Sequence, residues 1–220
     1  MNYKAITFDY DGTLVDTYDF HVTVIRQALN NCGAGISRSD MEKIVRLSLR
    51  AIFEAALPPE RVNDAPKALL ALYEKPSDDF WSSISVVDHA RETLSALRKA
   101  GIKTGLVTNS HQKLVTASLA HFGFTDLFDA VQASDEDAYT KEERMQTLLQ
   151  ELQVSPEETL YIGDTAGDII DAQHVGMDNC LISGPAAWIH KDPGALETLS
   201  PDFIITDLKE ILKIAGLSEC

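Results

Sequence analysis

Cysteine and long apolar segments are both scarce in this sequence. The three cysteines, Cys32, Cys180 and Cys220, lie far apart and form no C-x-x-C pair. This spacing is more typical of reduced thiols in a cytosol than of a disulfide framework or a zinc site. No apolar run approaches the roughly 18 residues of a membrane span, and the chain begins without a secretory apolar segment. We therefore expect a soluble, cytoplasmic protein without a membrane partner.

Positive charge is also low, with 19 Lys and Arg against 34 Asp and Glu and a formal net charge of −15. Nucleic acids and anionic membranes select basic faces, so this balance argues against both as partners. It leaves room for a small anionic substrate, because a metal ion and one well-placed lysine reverse the potential locally.

Short apolar segments alternate with helical patterns along most of the 220 residues. The predicted strands are 3–8, 102–107, 130–133, 159–162, 179–182 and 203–205. Between them, helical patterns cover residues 90–99, 113–122 and 140–152. This alternation predicts an α/β fold with a doubly wound parallel sheet.

Residues 17–83 interrupt this alternation, because they carry helical periodicity without a convincing strand. Helical patterns occupy residues 21–31, 39–57 and 65–74. The sequence therefore predicts a core domain formed by residues 1–16 and 84–220, with an inserted all-helical domain at 17–83.

Two carboxylates, Asp9 and Asp11, directly follow the first predicted strand. In an open α/β sheet, ligands bind beyond the carboxyl ends of the strands. In an extended chain both side chains leave the same side, and two close carboxylates favour a cation such as Mg²⁺ between them. One carboxylate could then attack phosphorus while the other, protonated, serves the leaving oxygen. A turn or a helix cap explains a lone D-x-D-G segment equally well.

Polar groups follow the second predicted strand and precede a later helix. Thr108, Asn109 and Ser110 offer hydroxyl, amide and backbone donors for an anion, although plain N-capping also explains them. Lys141 follows Thr140 at a predicted helix start, where it is either a solvated charge or a cation that neutralises a phosphoryl group.

Asp164 and Asp168 follow another predicted strand and lie four residues apart. As a helix begins there, both would occupy one face and complete an oxygen-rich metal site with Asp9. Read alone, this pair also fits two carboxylates that cap a helix.

Three segments together resemble the haloacid-dehalogenase-like hydrolase superfamily. Residues 8–17, FDYDGTLVDT, are similar to its first motif, residues 107–110, VTNS, to its second, and residues 161–169, YIGDTAGDI, to its fourth. The resemblance extends over nearly the whole chain. The helical insertion resembles the cap of the group that includes phosphoglycolate phosphatase and β-phosphoglucomutase, which implies a Rossmann-like core.

The resemblance also implies residue roles. Asp9 would form an aspartyl-phosphate, and Asp11 would protonate the leaving group and then activate water. Thr108, the Asn109 backbone and Lys141 would hold the phosphoryl oxygens. The implied cofactor is Mg²⁺, with ligands at Asp9, Asp11 (through its backbone carbonyl), Asp164 and Asp168. Where the family often has Lys-Pro, Lys141 is followed here by Glu142.

An acid at Asp11 favours phosphoester chemistry, because dehalogenating relatives typically have tyrosine at that position and phosphonate-cleaving relatives have alanine. We therefore expect a phosphatase that acts on a small phosphorylated metabolite. The alternatives are a sugar phosphomutase, for which His21 and Arg50 are candidate substrate-selecting residues, and a phospho-accepting signalling or non-catalytic phosphate-binding domain. The sequence does not distinguish a monomer from a homodimer.

Overall fold

The computed structural model describes residues 3–45, 49–73, 81–135, 139–191, 194 and 199–217. The strands are β1 Ala5–Phe8, β2 Val15–Asp16, β3 Ser85–Val86, β4 Lys103–His111, β5 Ala130–Ser134, β6 Thr159–Gly163, β7 Asp178–Ile182 and β8 Phe203–Ile205. The helices are α1 Tyr18–Asn31, α2 Arg38–Ile44, α3 Leu49–Ala56, α4 Ala65–Tyr73, α5 Ala90–Lys99, α6 Gln112–His121, α7 Lys141–Leu152, α8 Ala166–Val175 and α9 Glu210–Ile214. Short 3₁₀ turns lie at Val62–Asp64, Thr125–Leu127, Pro156–Glu158 and Trp188–Lys191.

The chain separates into two compact units. The α/β unit contains Met1–Asp16 and Val86–Cys220, and the helical unit contains Thr17–Ser85. The interpretation of the helical unit as a cap over a catalytic core stays a prediction.

A six-stranded parallel sheet forms the centre of the α/β unit, in the order β5-β4-β1-β6-β7-β8. The prediction of an α/β fold with a doubly wound parallel sheet is therefore confirmed. Along the chain, β4 and β5 are added on one side of β1, and β6, β7 and β8 are then added on its other side. Strand order thus reverses next to β1, and the carboxyl end of β1 lies at the position where such sheets bind ligands.

The central strands β1 and β6 are mostly apolar and fully buried. All four residues of β1 and all five of β6 are buried, as expected for parallel strands covered on both faces. One face packs against α7, where Leu148 and Leu152 join a cluster with Val107 and Tyr161. Gly105 permits this approach, since a Cβ atom there would lie 2.6 Å from Leu148 Cδ2.

Helix boundaries in the α/β unit follow the sequence signals closely. α5 covers residues 90–99 as predicted, and Gly101 follows it with a positive φ of 78°. α7 begins after Thr140, whose hydroxyl accepts a hydrogen bond from the backbone N–H of Glu143 while the Glu143 side chain accepts one from Thr140 N–H. The Thr-x-x-Glu spacing of residues 140–143 is the sequence pattern of such a capping box.

The helical unit differs from the sequence prediction at residues 39–57. Where one continuous helix is predicted, the structure has α2 and α3. α2 has its own start and stop, because the Ser37 side chain accepts from Asp40 N–H and Lys43 lies in its last turn. The apolar periodicity continues across both helices and does not reveal the break; residues 46–48 between them lie outside the described part of the chain.

A second, two-stranded sheet lies outside the main sheet. β2 and β3 pair in this sheet, which the sequence does not predict, because a strand of two residues is too short to show a period.

Cys32 and Cys180 are buried free thiols, whereas Cys220 lies outside the described residues. In the described part of the chain, every helix falls short of the length and apolarity needed to cross a bilayer.

Candidate active site

Asp9 follows β1 directly, at the carboxyl edge of the sheet. Its backbone N–H donates to the carbonyl oxygen of Ile162 at 2.8 Å, which extends the pairing of β1 with β6 by one residue. The Asp9 side chain is only 7% exposed. The strand pairing therefore fixes the backbone of Asp9 beside the carboxyl end of β6.

The turn from β6 into α8 supplies two more buried carboxylates, Asp164 and Asp168. Thr165 caps α8, and its hydroxyl donates to Asp168 Oδ2 at 2.5 Å while its N–H donates to the same oxygen at 3.0 Å. Gly163 has no room for a side chain, because a Cβ atom there would overlap Asp168. The capping box of α8 thus orients Asp168 toward the site.

Lys141 is buried and bridges two of these carboxylates. Its Nζ lies 2.5 Å from Asp9 Oδ1 and 2.5 Å from Asp168 Oδ1. It also lies over the Tyr161 ring, 5.7 Å from the ring centroid. The interpretation of Lys141 as a solvated charge at a helix start is therefore wrong. Although Glu142 follows Lys141 where the family often has proline, the Lys141 ammonium still lies beside Asp9 and Asp168.

The electrostatics of this cluster show an excess of negative charge. Burial, with the nearby carboxylates of Asp168 and Asp11, raises the pKa of Asp9 to about 8 against the lowering effect of Lys141. Burial and the other carboxylates raise the pKa of Asp164 well above its usual value. The pKa of Asp168 stays below its usual value, because hydrogen bonds and charge from Lys141 outweigh its burial. The carboxylates of Asp168 and Asp9 outweigh burial at Lys141 and hold its pKa well above the ordinary value.

These residues fit a hard divalent cation. Carboxylate oxygens of Asp9, Asp164 and Asp168 all lie within 4.8 Å of one another. Oxygen donors of this kind are the ligands that Mg²⁺ and Ca²⁺ take in proteins. Burial is the main cause of the raised pKa values of Asp9 and Asp164, and repulsion from neighbouring carboxylates adds to it, so a cation placed among them would favour their charged forms. Asp11 is not part of this carboxylate cluster.

The Asp11 side chain lies instead against two hydroxyl groups at the end of β4. Ser110 Oγ donates to Asp11 Oδ2 at 2.5 Å, and Thr108 Oγ1 donates to the same oxygen at 3.4 Å. Thr108 and Ser110 are both buried. The structure thus brings Thr108 to the acid group predicted at Asp11.

The Asn109 side chain points to a different partner. Its Oδ1 accepts a hydrogen bond from the guanidinium of Arg144, and Arg144 also donates to the carbonyl oxygen of Tyr139 at 2.6 Å. Arg144 is only 5% exposed. Arg144 of α7 therefore engages the Asn109 side chain, and this contact leaves the Asn109 backbone N–H available for its predicted role as a donor.

Asp164 is held by groups from two further segments. Trp188 N–H donates to Asp164 Oδ2 at 2.6 Å, and the Thr13 hydroxyl lies 3.5 Å from Asp164 Oδ1. Gly12 passes close to this carboxyl group with a φ of 77°. A Cβ atom on Gly12 would overlap Asp164 and come within 2.7 Å of Trp188 Cδ1.

Gly12→Ala is therefore expected to destabilise the protein and to displace Asp164. Gly101 provides the matched control, because its φ is 78° and an added Cβ meets nothing within 4 Å. Both substitutions carry the cost of a positive φ, about 1–3 kcal/mol. Overpacking adds roughly 1–3 kcal/mol at Gly12 alone. Urea unfolding measures this difference, and calorimetric titration with Mg²⁺ should show weakened binding only for Gly12→Ala. Equal effects of the two variants would contradict the close approach.

The two candidate substrate-selecting residues lie in the helical unit. His21 is buried and contacts the Phe20 ring edge-on, with ring centroids 5.2 Å apart. Arg50 is exposed and pairs with Glu54 at 2.5 Å, one turn along α3. These environments are typical of a packed histidine and a surface ion pair, and the selecting role stays a prediction.

Sequence reasoning assigns no role to several residues that shape this site. Arg144 and Trp188 carry no motif signal, because their importance depends on burial and on a backbone N–H. Tyr161 lies within the fourth motif, and its hydroxyl donates to Asp168 Oδ1 at 3.2 Å. The position of Ser110 two residues after Thr108 could have indicated a shared strand face.

Comparison with known proteins agrees with this arrangement. The family model described as haloacid dehalogenase-like hydrolase matches residues 6–182. Among curated proteins, pyrophosphatase PpaX of Anoxybacillus flavithermus is 30% identical over 221 residues, which cover 99% of each chain. PpaX of Oceanobacillus iheyensis is 26% identical over 98% of each chain.

Solved structures show the same fold. A predicted phosphatase from Clostridium acetobutylicum superposes with a TM-score of 0.81 at 21% identity, covering 99% of this chain and 100% of that one. A predicted phosphoglycolate phosphatase from Haemophilus somnus gives a TM-score of 0.80 at 22% identity, covering 97% and 98%. The family match runs from the second residue of β1 to the end of β7 and includes all three clustered carboxylates, so this chain is an enzyme that belongs to the haloacid dehalogenase-like hydrolases.

Proposed function

We propose that this enzyme is a Mg²⁺-dependent phosphatase that hydrolyses a small-molecule phosphate monoester through an aspartyl-phosphate on Asp9. The observation that carries the proposal is the position of Asp9, whose carboxylate meets the Lys141 ammonium and two further buried carboxylates at the carboxyl edge of the sheet. Asp11 stands two residues away, and its carboxylate accepts hydrogen bonds from the second motif.

In the first step, a carboxylate oxygen of Asp9 attacks phosphorus, and the bond between phosphorus and the leaving oxygen breaks. Asp11 transfers its proton to that oxygen, so that a neutral alcohol departs. In the second step, Asp11 accepts a proton from water. The resulting hydroxide attacks phosphorus, the bond to Asp9 breaks, and inorganic phosphate leaves.

Charge stabilisation falls to the groups around Asp9. Lys141, the Thr108 hydroxyl and the Asn109 backbone N–H would hold the phosphoryl oxygens. Asp9, Asp164, Asp168 and the Asp11 backbone carbonyl would hold Mg²⁺. When bound, the ion supplies positive charge that compensates the carboxylates and the transferring phosphoryl group. The phosphate donor is expected to be a small metabolite, and the cytoplasmic location stays a prediction.

Inorganic pyrophosphate is a second candidate substrate, favoured by the name of the relative that is 30% identical over 99% of this chain. The proposed general acid at Asp11 favours a monoester. An alkoxide leaving group depends on protonation more strongly than a phosphate leaving group does. A phosphomutase has weaker support, because Arg50 pairs with Glu54 on the helix surface.

A phosphate-release panel tests the proposal directly. We expect the purified protein to release inorganic phosphate from at least one of phosphoglycolate, glycerol 3-phosphate, glucose 6-phosphate or a nucleoside monophosphate. EDTA should abolish the release, and added Mg²⁺ should restore it, because without the cation the carboxylates near Asp9 remain uncompensated. Activity that persists after dialysis against EDTA would contradict metal dependence. Release from pyrophosphate alone would select the second candidate.

A further inference from the structure

We propose that Ser110 is a positioning residue that orients the Asp11 carboxyl group for proton delivery to the leaving oxygen. Its contribution should therefore be largest for substrates that depart as alkoxides. The inference rests on the proposed function, in which Asp11 is the general acid.

The backbone of β4 separates the roles of three consecutive residues. Side chains two apart in an extended strand share a face, and the residue between them faces the other way. Thr108 and Ser110 accordingly contact Asp11, while Asn109 contacts Arg144. The pairing of β4 with β5 shifts register between Val107 and His111, so the local backbone departs from a regular ladder here.

Ser110 makes the shorter of the two contacts with Asp11. The Ser110 Oγ donates to Asp11 Oδ2 at 2.5 Å, compared with 3.4 Å for the Thr108 hydroxyl. Ser110 N–H donates to Thr108 Oγ1 at 3.0 Å, which ties the two residues together. Ser110 is 8% exposed, so little water competes for its hydroxyl.

The hydroxyl of Thr108 has a conflicting task during the reaction. A hydroxyl carries one hydrogen, and in the proposed mechanism Thr108 donates it to a phosphoryl oxygen. Asp11 then loses the Thr108 donor at the moment when its orientation matters. Ser110 has no such second task and continues to hold Oδ2.

Fixing one carboxyl oxygen orients the whole group. The terminal torsion of an aspartate side chain is broad, so an unheld carboxyl group samples many orientations. A donor on Oδ2 sets the plane of the group and thereby aims the second oxygen. Misplacement of a reacting group by about 1 Å can cost roughly a hundredfold in rate.

The rate ratio between two substrate types separates positioning from general damage. When an alkyl phosphate is cleaved, the electron pair of the broken P–O bond passes to an alkoxide oxygen that takes the Asp11 proton. In 4-nitrophenyl phosphate the leaving phenolate is stable without that proton. Both substrates require the same nucleophile, metal site and phosphoryl contacts.

The experiment measures kcat/KM of Ser110→Ala on 4-nitrophenyl phosphate and on whichever of phosphoglycolate, glycerol 3-phosphate or glucose 6-phosphate the wild type cleaves fastest. We expect the alkyl-to-aryl ratio to fall by about tenfold to a hundredfold, and Ser110→Thr, which keeps the hydroxyl, to restore it. Because both rates come from one preparation, a partly folded variant leaves the ratio unchanged.

Ser118→Ala is the matched control. Ser118 is also a buried serine, and its hydroxyl pairs with Tyr10 rather than with Asp11. This variant should change both rates by the same factor. A Ser110→Ala ratio equal to that of the wild type, a Ser110→Thr ratio as low as that of Ser110→Ala, or an equal loss of ratio in Ser118→Ala would overturn the proposal.

Failure of the proposed function would look different. A wild type that cleaves no alkyl phosphate, or that keeps its activity when Asp9 is replaced, contradicts the phosphomonoesterase mechanism before Ser110 is tested. An active wild type whose Ser110→Ala ratio is unchanged contradicts only the role of Ser110.

Discussion

Asp9→Asn is expected to reduce phosphate release by at least about a thousandfold, because the amide cannot form the covalent bond to phosphorus. The substitution keeps the size of the side chain and an oxygen that can accept from Lys141. Release of inorganic phosphate under saturating Mg²⁺ measures the loss. Acid-quenched samples with radiolabelled substrate should contain labelled protein for the wild type and none for Asp9→Asn.

The fold of Asp9→Asn should be intact. Burial and neighbouring carboxylates raise the pKa of Asp9 to about 8 in the metal-free protein. The amide has the same size, removes one of three crowded carboxylates and leaves Lys141 paired with Asp168, so the folded state should change little. We expect a midpoint of thermal unfolding equal to or above that of the wild type.

Asp126→Asn is the matched control for this charge change. Asp126 is exposed and precedes β5, so it lies at the amino edge of the parallel sheet, opposite the end where Asp9 is found. Its substitution should leave phosphate release unchanged. Full activity of Asp9→Asn, or equal losses in both variants, would remove Asp9 from the role of nucleophile.

The strands of the α/β unit and their polar ends were predictable from the sequence. Apolar segments identified β1, β4 and β6, and parallel pairing places their carboxyl ends together. The meeting of Asp9 with Asp164 and Asp168 follows from that geometry. The sequence could not predict β2 and β3, nor the separation of α2 from α3, because apolar periodicity lacks the resolution to place such short breaks.

Burial of individual polar side chains was the main property that the sequence did not reveal. Locally, Lys141 resembles any charge in the first turn of a helix, and only the packing of α7 against the sheet brings its Nζ to Asp9. Arg144 occupies the next turn and is buried for the same reason. The alternation along β4 could have separated Ser110 from Asn109, but its target, Asp11, comes from a segment 99 residues earlier.

Lys141→Met is expected to lower kcat by about 10²–10³-fold, the range found when one preorganised donor to a developing charge is removed. Methionine matches the four-atom apolar stem of lysine and lacks only the terminal ammonium, so the substitution removes mainly the charge. In the wild type the ammonium contacts Asp9 and Asp168 at 2.5 Å. Phosphate release with saturating substrate and Mg²⁺ measures the effect on kcat.

The same variant should lose stability in a pH-dependent manner. Removing one partner of a buried ion pair costs about 3–5 kcal/mol, because the remaining charges are uncompensated. Lys141 lowers the pKa of Asp9 and of Asp168, so its loss raises both values in the folded state. A carboxyl group with a raised folded-state pKa favours folding at low pH and loses that contribution as pH rises through the raised value. The deficit relative to the wild type should therefore be larger at pH 8 than at pH 5.5.

Lys4→Met provides the control, because Lys4 forms an exposed ion pair with Glu158 in which the lysine side chain is 65% exposed. Such a pair contributes about 0–1 kcal/mol, so urea unfolding of this variant should resemble the wild type at both pH values. Mg²⁺ should recover part of the stability of Lys141→Met, since a bound cation replaces some of the missing positive charge. A pH-independent deficit would indicate that Lys141 acts through packing, whereas a larger gain from Mg²⁺ in Lys141→Met than in the wild type would indicate that the cation and the ammonium compensate the same carboxylates.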